Sequence, residues 1–223
     1  EPQRGIHRRD LIKGITAASL GLAAGSIGIP DSVGQLSVSS LPRRNLIQIE
    51  NAKPGTPDWQ LTKTRQLPGK INKILNNGRC PWIEGYCSAN SVRAGEKLRV
   101  MVSTNPVSDF KLEIFRTGYY NGDGARLMKR FDSLKGKTQR EPAAGENYVQ
   151  ECNWDSSVEF EIPEDWLSGV YLGKLTAEKE NIQSYVIFIV RDDRPCDFLF
   201  QCSDLTWSAY NRWPADYSIY TDH

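Results

Sequence analysis

An apolar period of two constrains this chain more than any other feature. In Lys97-Leu98-Arg99-Val100-Met101-Val102 the residues Leu98, Val100 and Val102 alternate with Lys97, Arg99 and Met101, and in Phe110-Lys111-Leu112-Glu113-Ile114 apolar residues alternate with charged ones. Successive side chains of a strand point to opposite faces, so each run places one face in a core. A helix would instead repeat its apolar positions every three to four residues. The run Ser184-Tyr185-Val186-Ile187-Phe188-Ile189-Val190 is nearly continuous in apolar and β-branched residues, as suits a strand with neighbours on both sides. Asn121-Gly122-Asp123-Gly124 and Ala94-Gly95-Glu96 separate such runs and supply the positive-φ positions of tight turns. Residues 81–194 are therefore read as an all-β module.

Within that module, Trp166-Leu167-Ser168-Gly169-Val170-Tyr171 brings a tyrosine into a strand two residues after a glycine. The spacing is similar to the tyrosine corner of immunoglobulin-like folds, whose hydroxyl bonds backbone just upstream. The expected fold class is mainly β: an immunoglobulin-like β-sandwich, followed by the truncated start of an α/β domain. Trp154, Trp166 and Tyr171 are expected in core packing. Trp82, Tyr119 and Tyr120 are candidates for an exposed aromatic stripe that could stack on sugars.

Composition excludes several function classes. Lys and Arg number 28 against 27 Asp and Glu, so no field attracts nucleic acid or an anionic membrane. The two histidines, His7 and His223, lie near the two ends, which leaves the interior without a histidine base for a Ser-His-Asp or Cys-His enzyme. Cys80, Cys87, Cys152, Cys196 and Cys202 show no C-x-x-C spacing. They are compatible with buried thiols or with one or two disulfides formed after export.

Arg8-Arg9-Asp10-Leu11-Ile12-Lys13 resembles a twin-arginine export motif, and residues 14–29 are apolar or small and uncharged, which is the layout of a signal. About sixteen residues fall short of the roughly twenty of a membrane span, so no stable membrane anchor is expected. Residues 1–30 are read as the signal and 31–80 as a linker, which implies export by a twin-arginine pathway to the periplasm or beyond.

After the turn Arg191-Asp192-Asp193-Arg194-Pro195, the run Asp197-Phe198-Leu199-Phe200-Gln201 suits a buried strand, and Ser203 or Asp204 can cap a helix through Leu205, Trp207, Ala209 and Tyr210. Strand, cap and helix open an α/β domain, so residues 195–223 are expected to begin one that is incomplete in this chain, the other reading being that the segment packs on the sandwich.

Several blocks in order resemble proteins related to the large (β) subunit of N,N-dimethylformamidase. They are Ile83-Glu84-Gly85-Tyr86-Cys87-Ser88, Ile114-Phe115-Arg116-Thr117-Gly118-Tyr119-Tyr120, the segment around Trp166 to Tyr171, Tyr185-Val186-Ile187-Phe188-Ile189-Val190-Arg191-Asp192-Asp193, and Cys202-Ser203-Asp204-Leu205-Thr206-Trp207-Ser208-Ala209-Tyr210-Asn211-Arg212-Trp213. The resemblance implies a sandwich joined to a glutamine amidotransferase-like α/β domain, and an amidohydrolase whose single iron is held by two tyrosines and a glutamate. Such an iron acts as a Lewis acid on the amide carbonyl. It makes Tyr210, just beyond the expected strand, the candidate metal ligand, with Tyr217 and Tyr220 as alternatives and the remaining ligands expected beyond residue 223. Aromatic contact between two domains, shared with Trp207 and Trp213, is the other role open to Tyr210. The implied function is an exported relative of this metal-dependent amidohydrolase acting on a small polar or amide substrate, with oligomerisation left open. The alternative is a non-catalytic immunoglobulin-like module that binds a glycan or a protein partner outside the cytoplasm.

Overall fold

The computed structural model describes residues 45–67, 79–146, 149–196, 198–214 and 218. The signal read over residues 1–30 lies outside them, as do Tyr217 and Tyr220. The chain is mainly β. Its strands are β1 Glu84–Cys87, β2 Ser91–Val92, β3 Lys97–Ser103, β4 Phe110–Thr117, β5 Ala125–Leu134, β6 Val158–Glu161, β7 Gly169–Ala177 and β8 Gln183–Val190. They form a three-stranded sheet, β1-β3-β6, and a five-stranded sheet, β2-β8-β7-β4-β5. The pairings are antiparallel except that β2 runs parallel to β8. As its composition suggested, β8 lies inside its sheet.

The expected alternation produces the core. Leu98, Val100 and Val102 of β3 and Phe110, Leu112 and Ile114 of β4 are buried in one cluster with Phe160, Leu175, Val186 and Phe188, while Lys97 and Arg99 face solvent. Both sheets thus share a single core. Tyr171 is fully buried within it, stacked 4.9 Å from Trp166 and 5.4 Å from Phe188. Its hydroxyl donates to the Leu167 carbonyl at 2.8 Å, the upstream backbone bond that the spacing predicts. The turn before β5 has Asn121 at φ 56° and Gly122 at φ 101°, a left-handed pair that glycine and asparagine tolerate best.

Alternation alone misses the cover on the outer face of the large sheet. Glu113 and Phe115, opposite in sense to the core residues of β4, are also buried. Part of the stretch read as linker crosses this sheet and is bonded to it. Thr56 donates its backbone N–H to Ala125 of β5 at 2.8 Å. Lys174 of β7 donates to the carbonyls of Asp58 at 2.6 Å and Gln60 at 3.0 Å. On β8, the Tyr185 hydroxyl donates to the Trp59 carbonyl, and the Gln183 side chain accepts from Thr62 N–H at 2.8 Å. An irregular segment can lie here because side chains of the sheet satisfy its backbone groups.

Helix α1, Leu46–Asn51, anchors the start of this strap. Its buried Glu50 accepts from Arg126 Nε at 2.8 Å, from the Tyr120 hydroxyl at 3.0 Å and from Lys53 at 2.6 Å. Arg116 is buried behind them, donating to the Tyr120 hydroxyl at 3.0 Å and to the Ser168 carbonyl at 2.9 Å. Tyr120 is therefore an interior residue and not a member of an exposed stripe.

The C-terminal part needs a correction. No strand forms at residues 198–201, and Phe198, Leu199 and Phe200 are 91%, 90% and 80% exposed. A strand is buried only by pairing and facing a second layer, and the described residues offer this run neither. Helix α2, Asp204–Tyr210, begins where predicted with Ser203 at its N-cap, but no side-chain cap bond is made and no residue of α2 is buried. The five cysteines are free thiols. No helix among the described residues is long and apolar enough to cross a membrane.

Candidate functional site

Glu84 and Tyr86, two apart on β1, share the face of the small sheet turned away from the core, because Gly85 between them abuts Val186 and Leu175. Residues 152–154 run across this face. The Tyr86 hydroxyl donates to the Cys152 carbonyl at 3.2 Å and accepts from the Trp154 backbone N–H at 3.0 Å. The Trp154 indole donates to the Arg140 carbonyl at 2.8 Å, and its ring lies 5.5 Å from Tyr86.

The segment following α2 returns to this surface through Trp213. Its indole donates to Glu84 Oε2 at 2.7 Å, and its ring meets Trp154 edge-on at 5.6 Å. Asn211 Oδ1 accepts the Trp213 backbone N–H at 3.0 Å, which sets the turn after the helix. Arg79 completes the arrangement. Its Nε donates to Glu84 Oε2 at 3.0 Å, its Nη2 pairs with Glu84 Oε1, and its Nη1 donates to Glu141 at 2.6 Å. The guanidinium carbon stands 5.2 Å from the Trp213 ring centroid.

Between β1 and the returning segment lies a cavity of about 650 Å³. Glu84, Tyr86, Cys152 and Trp154 line one side, and Leu205, Ser208, Asn211 and Trp213 line the other. Burial alone would lower the pKa of Arg79, but its bonds to Glu84 and Glu141 outweigh this and hold it above its ordinary range. The Cys152 thiol is pushed up to about 11, chiefly by burial and then by the charge of Glu84, with Arg79 opposing. It is protonated near neutral pH and is no ready nucleophile.

Tyr210, the ligand candidate, ends α2 as a residue 65% exposed, between the cavity-lining Ala209 and Asn211. Among the described residues no group of three or more His, Cys, Asp or Glu is gathered that could hold a metal ion. Glu84, the carboxylate at the cavity, is engaged by Arg79 and Trp213. Tyr210 is the candidate phenol that falls among the described residues. The aromatic stripe is not assembled either: Arg65 covers Trp82 at 4.1 Å, Tyr120 is buried and Tyr119 is exposed. Sequence reasoning missed Arg79, Glu84 and Trp213 as a unit. The usable signal was Glu84-x-Tyr86 on a strand, which puts a carboxylate and an aromatic on one face.

The fold and this site define a mainly β protein carrying a cavity of small-molecule size. Residues 111–223 match the family described as N,N-dimethylformamidase beta subunit-like, C-terminal. The match spans half of the chain, and the chain belongs to that family. It runs from the second residue of β4 to the end of the chain, and so takes in Trp154 and the Leu205 to Trp213 side of the cavity, whereas Arg79, Glu84 and Tyr86 precede it. No curated protein matches the chain.

Proposed function

We propose that this chain is part of an exported, metal-dependent amidohydrolase related to N,N-dimethylformamidase, which takes a small polar or amide substrate. The observation supporting the reading is that the segment closing the cavity over β1 lies within the family match. In this reading Tyr86, Trp154 and Trp213 exclude water and pack on the apolar part of the substrate. Ser208 and Asn211 supply hydrogen-bonding groups for an amide, and Tyr210 is this chain's contribution to the iron. The test is metal analysis and amide hydrolysis by the full-length protein, wild type and Tyr210→Phe. Iron and hydrolysis in the wild type, with iron occupancy reduced at least about tenfold in the variant and an unchanged melting temperature, is the expected result. Undiminished iron in Tyr210→Phe removes Tyr210 from the site. A wild type with neither iron nor hydrolysis overturns the enzyme reading in favour of a binding module, which the exposed Phe198, Leu199, Phe200, Leu205 and Trp207 favour.

A further inference from the structure

Glu84, the charged side chain among the described residues lining the cavity, is neutralised by Arg79, which stands outside that lining. Both oxygens of Glu84 are occupied, Oε1 by Arg79 Nη2 and Oε2 by Arg79 Nε and the Trp213 indole. Arg79 is equally committed: Nε and Nη2 face Glu84, Nη1 faces Glu141, and Trp213 lies against the guanidinium. Glu141 itself is a mostly exposed partner. The polar atoms of the aromatic walls are spent inside the protein, since the Tyr86 hydroxyl serves Cys152 and Trp154 and the Trp154 indole serves Arg140. Besides Glu84, the described residues facing the cavity are aromatic and aliphatic, with Gln150, Cys152, Ser208, Asn211 and Ser218 as uncharged polar side chains.

We infer that this cavity selects a compact uncharged ligand with an apolar body and one hydrogen-bonding group, and that the Arg79–Glu84 pair is the device that rejects ions of either sign. A ligand carboxylate entering here leaves water and meets no cation among the described residues that line the cavity, and Arg79 beyond that lining is bound to Glu84. An ammonium group meets a carboxylate already held at both oxygens. Desolvating a charge without a partner costs far more than desolvating a hydroxyl or amide that finds one. The inference rests on the cavity being the ligand site of the proposed function and is independent of iron.

The experiment uses the full chain without added metal and three probes that share one ring: cyclohexanol, cyclohexanecarboxylate and cyclohexylammonium. Binding is read by ligand-observed NMR and by the fluorescence of the cavity tryptophans. The wild type is expected to bind cyclohexanol at least about tenfold more tightly than either ion. Glu84→Gln keeps an acceptor for Trp213 and leaves Arg79 with the mostly exposed Glu141 as its remaining counter-ion, so the preference moves toward cyclohexanecarboxylate. Arg79→Gln releases Glu84 and moves the preference to cyclohexylammonium, and it serves as the reporter should the first variant fail to fold. A wild type that prefers either ion, or binds none of the probes, overturns the inference, as does a folded variant whose preference stays put. Iron content is measured separately, so failure of the metal reading and failure of this one are distinguishable.

Discussion

Replacing Tyr171 with Phe removes one oxygen from the core and leaves the ring in place. The ring is fully buried and stacked at 4.9 Å on Trp166 and 5.4 Å on Phe188, so its packing survives. What is lost is the 2.8 Å bond from the hydroxyl to the Leu167 carbonyl. A bond of this kind has a net worth of about 0.5–1.5 kcal/mol, and a carbonyl left buried and unsatisfied costs about 1–3 kcal/mol. Leu167 is half-buried, which lets water reach part of the gap and keeps the cost toward the lower end. The expected destabilisation is about 1–2 kcal/mol, a fall in Tm of about 2–8 °C for a domain of this size. Tyr171→Ala also deletes the ring and costs about 3–5 kcal/mol. Differential scanning calorimetry and urea titration measure both. A Phe variant within about 0.5 kcal/mol of the wild type would show that the hydroxyl does not hold the corner. A Phe variant as costly as Ala would show that the ring is not the main contributor.

Two other outcomes are expected. Burial alone would raise the pKa of Glu50, but the bonds and charges of Lys53 and Arg126 outweigh it and hold the carboxyl below its ordinary range. Its stabilising contribution is therefore complete above the unfolded value of about 4.3 and is lost as pH falls through the lower folded value. Glu50→Gln loses roughly 1–3 kcal/mol at neutral pH and a smaller part of its stability on acidification than the wild type; equal acid sensitivity of the two in urea titrations would remove Glu50 from this role. For export, replacing Arg8 and Arg9 with lysine retains a fused reporter in the cytoplasm, and continued export of that double variant in cells lacking the twin-arginine translocase would refute the signal reading.

Much of the fold was legible in the sequence because strand geometry is local. Side chains alternate faces with a period of two, so Leu98, Val100 and Val102 declare a core face without knowledge of what covers it. The four-residue reach from Tyr171 to Leu167 is likewise a property of one short segment. Local pattern misled where burial depends on a partner. Phe198-Leu199-Phe200 has the composition of a buried strand but lies exposed, since no described strand pairs with it. Residues read as linker have the composition of a loop, yet Lys174, Gln183 and Tyr185 hold them against the sheet.

The family was readable from ordered blocks of residues, whereas the cavity was not. Glu84 and Trp213 stand 129 residues apart, and Arg79 and Trp154 reach them from two further segments. No periodicity records such a meeting. It follows from the way β1 turns one face outward and the chain returns after α2, and only in that arrangement do a carboxylate and a guanidinium neutralise one another, with an indole bonded to the carboxylate, beside an aromatic cavity.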